Sequence, residues 1–350
     1  MRINTSLLAI AALLTAACAA PPEEPAPDHG AGNVLRISDA LDAIVPADYR
    51  IEKLAGDMGF TEGPVWVKGD DPHLLFSDIP ANRIYRWAEG DTEATVFFDK
   101  LHTDEGTGGQ GGSNGLTLDP DGALLACEHG NRRISRMVDG EWETVVDSFE
   151  SKRLNSPNDA AWHSNGWLYF TDPPYGLPQQ DDDPAKELDF NGIYRFNYDS
   201  AELQLLNREQ TRPNGIGFSP DFKTAYVANS DAAAKVWMAY DVNAEGVFEK
   251  GRVFYDATEV TAPGLPDGLK LDSDGNIYAT GPGGVWIFAA DGTHLGTIQP
   301  DEVPANVAWG DDGSSLYMTA RTGLYRIKLL AQGPMPADKP SQEASPSAGP

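Results

Sequence analysis

Cysteine is almost missing from this sequence. Two occur among 350 residues, Cys18 and Cys127. Cys18 belongs to the N-terminal leader described below, so one thiol is left for the folded part, and a single thiol excludes an internal disulfide framework. Cys127 closes the run Leu124-Leu125-Ala126-Cys127, which reads as a buried strand. Positive charge is scarce too. Lys and Arg total 26 against 53 Asp and Glu, for a formal net charge of -27. A nucleic-acid partner needs cations to neutralise its phosphates, and that balance excludes one. Adhesion to an anionic membrane surface is disfavoured for the same reason. Oxygen ligands for cations are left in surplus. No glycine-rich phosphate loop follows a strand. The apolar stretch Leu7–Leu14 is too short to span a bilayer, and no helical pattern separates the strand-like runs further on.

Leu7–Leu14 reads instead as the centre of an export signal. Arg2 supplies its positive end, and the small residues Thr15, Ala16 and Ala17 precede Cys18. The expectation is a lipoprotein-type signal peptide over residues 1–18, with Cys18 lipidated and that anchor the only membrane contact. An ordinary cleaved signal with a bystander cysteine is the alternative. The protein is expected to be exported, as a periplasmic or membrane-anchored lipoprotein. Residues 19–45 read as a Pro/Ala-rich tether. Residues 46–330 read as the folded domain, and residues 331–350 as a disordered tail of Pro, Ala, Ser and Gly.

One unit recurs six times along the folded domain. A polar residue opens it, an apolar strand follows, and an Asp/Gly turn leads to further strands with Tyr, Trp or Leu. The copies begin at Glu62 (EGPVWV), Asn114 (NGLTLDPDG), Asn158 (NDAAWHSNG), Asn214 (NGIGFSPD), Asp267 (DGLKLDSDG) and Asn306 (NVAWGDDG). Their spacing of 39 to 56 residues, with short alternating strands between hairpin turns, predicts an all-β, six-bladed β-propeller. The sixth copy stops near Ile327 without an outer strand. Tyr49–Leu54 (YRIEKL) is expected to pair with it and close the ring from the N-terminal side.

The six opening residues all carry a side-chain oxygen. Inner strands of a propeller line its central channel, so equivalent positions converge on one axis. Two carboxylates with up to four amides predict a central-channel metal site. Oxygen-only coordination by many ligands is the Ca2+ pattern. Zinc normally takes His or Cys, which the ring lacks, although Zn2+ and Mn2+ stay open. The competing explanation is that Asn-Gly and Asp-Gly are turn dipeptides repeated with the blades.

At these residues the chain resembles the regucalcin/gluconolactonase family of calcium-dependent lactonase propellers. The similarity runs from about Tyr49 to Leu330. It is carried by FTEGPVW (Phe60–Trp66), SNGLTLDPDGALLACEHGNRR (Ser113–Arg133), RLNSPNDAAW (Arg153–Trp162), YFTDPPYGL (Tyr169–Leu177), RPNGIGFSPD (Arg212–Asp221) and LPDGLKLDSDGNIY (Leu265–Tyr278). The EHGNRR and TDPPYGL stretches resemble the bacterial gluconolactonase branch. The resemblance implies that Glu62 and Asn214 are metal ligands and that Asp267 is both a ligand and a candidate base. Asn158 would bind substrate or complete the metal shell, with Asn114 beside it as a substrate contact and Asn306 as a further channel ligand. Animal members place a substrate-gripping Arg two residues before the PND-type Asn. Ser156 stands there in this chain, and Arg153 of the same loop is the candidate replacement.

A lactone is an ester, and its hydrolysis passes through a tetrahedral oxyanion. A cation at the carbonyl oxygen would stabilise that charge, and a base must activate water. Asp267 and His129 are the two catalytic candidates, since a His in the turn EHGN is tuned for proton transfer near neutrality. Asp172 and Tyr175 (DPPY), with the loop Gly106–Gly112 (GTGGQGG), would form a lid and set specificity. The remaining histidines, His102 among them, read as surface residues. The reading is a metal-dependent hydrolase opening a small-molecule sugar lactone. The alternatives are an arylesterase or phosphotriesterase on the same scaffold, or a non-catalytic calcium-stabilised propeller binding a sugar or a protein.

Overall fold

Apolar runs in this chain are short, and Asp, Asn and Gly turns break them, so each run pairs with its neighbour in sequence. The computed structural model describes residues 28–102 and 111–334. The expected signal peptide, the start of the tether, most of the GTGGQGG loop and the tail beyond residue 334 lie outside the described residues.

Six antiparallel sheets form the blades. Their inner strands are Thr61–Val67, Ser113–Leu118, Ala160–Trp162, Pro213–Phe218, Leu269–Leu271 and Pro304–Gly310. From each the chain meanders outward through the next strands of the same sheet. Each inner strand touches that of the following blade, and the sixth touches the first. The fold is therefore the expected six-bladed propeller, and the ring is closed. Closure comes from Ile51–Ala55, which pairs antiparallel with Gly323–Lys328 and supplies the outer strand that the sixth repeat lacks.

Two boundaries move. Residues 19–45 are expected as a tether, but Gly32–Arg36 is a strand. It pairs with His294–Pro300 and becomes the fifth, outermost strand of blade five. A 3-10 turn, Asp39–Ala43, follows with Ser38 as its N-cap, and Leu41 and Val45 are fully buried against blades five and six. The physical reason is composition. Pro and Glu dominate only the first part of the segment, while Val34, Leu41, Ile44 and Val45 supply apolar anchors. At the other end Ala331 is buried and Gly333 donates to Gly313 O at 2.9 Å, so the fold runs past residue 330.

The core is divided among the blade junctions. Trp66 and Phe76 of blade one pack with Tyr317 and Leu324 of blade six. Leu125 and Cys127 of blade two pack with Leu168 and Phe170 of blade three. Trp237 of blade four packs with Trp286 of blade five. Buried hydroxyls on second strands add hydrogen bonds from blade to blade near the axis. Ser77 donates to Asn114 O (2.8 Å), Thr171 to Asn214 O (2.8 Å) and Thr280 to Ala305 O (2.8 Å). These bonds fix the backbone at Asn114 and Asn214, which open repeats, and next to Asn306, which opens another, where rigid placement of side chains matters most.

Candidate active site

The repeat-opening residues lie where the ladder between inner and second strands is irregular. The register shifts between Glu62 and Val65, between Ser113 and Leu116, and between Pro213 and Ile216. Asn158 and Asp267 precede the inner strands of their blades. Interrupted pairing of this kind re-aims side chains. Here it turns them into one cavity of about 290 Å³ at the channel mouth. Glu62, Asn114, Asn158, Asn214, Asp267 and His129 all line it. The glycine after four of the six opening residues, Glu62, Asn114, Asn214 and Asp267, has a role other than a turn. A Cβ at Gly215 would lie 2.3 Å from Asp267 O, and one at Gly268 would lie 2.0 Å from Asn306 Cγ. Neighbouring inner strands can approach this closely only because those positions are bare.

The hydrogen bonds orient the amides. Asn214 donates its Nδ2 to Ser230 Oγ at 2.9 Å, and Ser230 in turn donates to Pro266 O. Asn114 Nδ2 donates to His129 Nε2 at 3.3 Å. With the amide in this orientation Nε2 is the acceptor. Both amides thus spend their N–H groups on neighbours. Asn114 Oδ1, Asn214 Oδ1 and Asp267 Oδ1 are buried and accept no hydrogen bond from the protein. Three such oxygens on residues that line one cavity are costly on their own and suit a hard cation. Glu62 completes the set. Its Oε2 accepts from Gly63 N–H at 2.6 Å and from Asn306 Nδ2 at 2.9 Å.

Burial pushes the Glu62 carboxyl up to about 7, helped by the charge of Asp159. Asp267 is held well above the usual carboxylate range, first by burial and then by Glu62 and Asp159. Asp159 is raised by burial as well, with Lys270 opposing; the Lys270 ammonium stands 4.0 Å from Asp159 Oδ2. Three carboxylates against one ammonium leave two negative charges when all are ionised, which matches a divalent cation. Among the described residues no three His, Cys, Asp or Glu side chains come together as a metal cluster. The amide side chains of Asn114, Asn158 and Asn214 line the cavity with Glu62 and Asp267.

Four expectations are corrected. Asn306 is not placed as a ligand: its Oδ1 accepts from Val307 N–H at 2.8 Å and its Nδ2 faces Glu62, so it positions that carboxylate. Asp172 does not reach the cavity. Its carboxylate accepts from the N–H groups of Asn155 and Ser156, both at 2.8 Å, and so holds the loop that carries Asn158. Arg153 is exposed outside the cavity and donates to Asn131 O at 2.8 Å. His102 is buried rather than on the surface, bonded to Asn131 Oδ1 at 2.9 Å. Tyr175 does line the cavity, with its hydroxyl donating to Ser230 O at 3.2 Å. Gly176 beside it lets this loop pass directly over His129, since a Cβ there would meet His129 O at 2.8 Å.

Sequence reasoning missed Ser230, the Asp159–Lys270 pair, and the apolar wall of Phe60, Ile79 and Leu265. Asp159 had a signal. It stands after Asn158 where most other repeats have Gly. Ser230 had none, because its role depends on which amide it faces.

Fold and cavity together define a six-bladed propeller with an acid- and amide-lined site at the mouth of its central channel. Residues 60–322 match the family described as SMP-30/Gluconolactonase/LRE-like region, and the chain belongs to that family. It is similar to a gluconolactonase from Zymomonas mobilis subsp. mobilis, 36% identical over 314 residues, covering 86% of this chain and 87% of that one. A pentonolactonase from Haloferax volcanii is 32% identical over 271 residues, covering 75% of this chain and 81% of its own. Among solved structures, a gluconolactonase from Xanthomonas campestris superposes with a TM-score of 0.75 at 30% identity, over 89% of this chain and 100% of that chain.

Proposed function

We propose that this lactonase-family enzyme hydrolyses the ring ester of a sugar lactone and works with a divalent cation, calcium by its ligand set, on the floor of the central cavity. The observation that carries the reading is the trio of buried oxygens without donors, Asn114 Oδ1, Asn214 Oδ1 and Asp267 Oδ1, beside the Glu62 carboxylate. Glu62, Asn214 and Asp267 would hold the ion, with Asn158 and Asn114 next to them. When bound, such an ion supplies Lewis-acid stabilisation of the carbonyl oxygen.

The chain's own groups do the rest. His129 Nε2 has its lone pair toward Asn114 and the cavity. A water that displaces the 3.3 Å amide contact can pass its proton to that nitrogen as the oxygen adds to the carbonyl carbon. The ring C–O bond then breaks and the proton returns to the departing alkoxide, giving the open hydroxy acid. Phe60, Ile79 and Leu265 pack on the apolar edges of the ring and keep bulk water out. The names of the two curated relatives, a gluconolactonase and a pentonolactonase, support a sugar lactone as substrate.

A substrate panel tests the reading. Glucono-lactone, a pentono-lactone, an aryl acetate and a phosphotriester are followed by pH-stat at neutral pH. Turnover of the two lactones well above their spontaneous rates, with kcat/KM far above that for the aryl acetate and phosphotriester, is expected. The opposite order would replace the lactonase reading by the esterase one.

A further inference from the structure

The connection of residues 173–191, between Trp167–Asp172 and Gly192–Asn197 of blade three, belongs to no repeat. It lays Tyr175 and Gln180 along the cavity. The two differ in what they have left to offer. The Tyr175 hydroxyl is committed to Ser230 O. The Gln180 side-chain amide makes no hydrogen bond among the described residues, while its backbone is held at both ends. Its N–H donates to Leu177 O at 3.0 Å and its C=O accepts from Asp183 N–H at 3.1 Å.

The next residue ties this turn to the site. Asp181 is ion-paired with Arg212 and accepts from Asn191 Nδ2 at 3.1 Å. Arg212 stands two residues before Asn214, so the turn and the Asn214 loop are anchored to each other. Gln180 itself has φ +50°, a left-handed conformation that side chains other than Asn, Asp and Gly seldom adopt. Strain of this kind persists where surrounding contacts over-determine it, and it clusters at ligand contacts.

The floor of the cavity is polar and its wall, Phe60, Ile79 and Leu265, is apolar. A lactone with its carbonyl at the floor turns its hydroxyl-bearing carbons toward the mouth. Gln180 meets them there with a donor and an acceptor on one planar group. We propose that Gln180 is a specificity-determining residue. Its amide hydrogen-bonds a sugar-lactone hydroxyl remote from the reacting carbonyl and so separates polyhydroxylated lactones from bare ones. This rests on the lactonase reading above.

Gln180→Gly removes the amide and suits the left-handed backbone. Steady-state kinetics of wild type and variant are compared on glucono-lactone and on valerolactone, which has no hydroxyl. For glucono-lactone kcat/KM should fall about tenfold, through KM. For valerolactone it should not change. Gln180→Asn, which keeps an amide and tolerates the backbone, should recover part of the loss. Gluconate titration followed by thermal shift gives a readout without turnover, and its affinity should weaken by the same factor. Equal losses on both lactones, or none on either, overturn the proposal and leave the lactonase reading standing while wild type is active. A wild type that opens neither lactone sinks the lactonase reading. Gluconate then decides Gln180 alone, and binding that is absent or undiminished in the variant overturns it.

Discussion

Asp267 is the residue where stability and function pull hardest against each other. Burial, Glu62 and Asp159 hold its carboxyl well above the ordinary range, and Glu62 stands at about 7 against its ordinary 4.5. Both folded-state values lie above the unfolded ones. The stability these groups contribute is therefore complete below the unfolded value and is lost as pH rises through the folded one. Chelated protein should melt at progressively lower temperature as pH rises from 4.5 through about 7. Asp267→Asn keeps the shape and removes a buried charge. Above that window the chelated variant should be more stable than chelated wild type, by on the order of 1 kcal/mol or more. Calorimetric scans across a pH series check both statements. A melting temperature that climbs through the window, or a variant that melts lower throughout, would count against this electrostatic account.

The inner strand is the element that builds the site, and its glycines set how closely neighbours approach. Gly215→Ala forces a Cβ to within 2.3 Å of Asp267 O, a backbone atom that cannot swing away. Overpacking of this kind costs about 1–3 kcal/mol. Urea denaturation should show that loss, and an unchanged midpoint would mean that the strands part without penalty. The oxygen-bearing residues that open the repeats were legible in the sequence as a six-fold period, with glycine after four of them. Why glycine follows the ligand was not, because the reason lies in the next blade. The closing strand Ile51–Ala55 was legible because the sixth repeat stops short. Gly32–Arg36 was not. Its partner lies more than 250 residues away at His294–Pro300, and five residues outside any repeat carry no period. The same limit applies within the site. A ring of oxygen-bearing residues can be counted from the sequence. Only the fold shows that Asn306 turns its amide nitrogen to Glu62 while Asn214 is turned by Ser230. Cys127 takes a position in blade two like that of Ser77 and Thr171 in blades one and three. Its thiol is pushed up by burial, in keeping with its reading as a strand residue.

At the scale of the whole molecule, six repeats bring their opening residues to one place. No single blade holds a site. Glu62 comes from blade one, Asn114 from two, Asn158 from three, Asn214 from four and Asp267 from five, while Asn306 of blade six braces the first. Closure by Ile51–Ala55, which pairs with Gly323–Lys328, ties the chain leading into the first of these blades to the last. The acids at the centre repel one another, and among the described residues Lys270 is the cation set against them, so a cation should both stiffen the ring and switch on the chemistry. The most direct test titrates calcium into chelated wild type and chelated Asp267→Asn by calorimetry, then measures glucono-lactone opening on the same samples. The account predicts that wild type binds one ion with release of protons and gains activity in step with occupancy, and that the variant does neither. Lactone opening at full rate in chelated wild type, or in the variant, would contradict it.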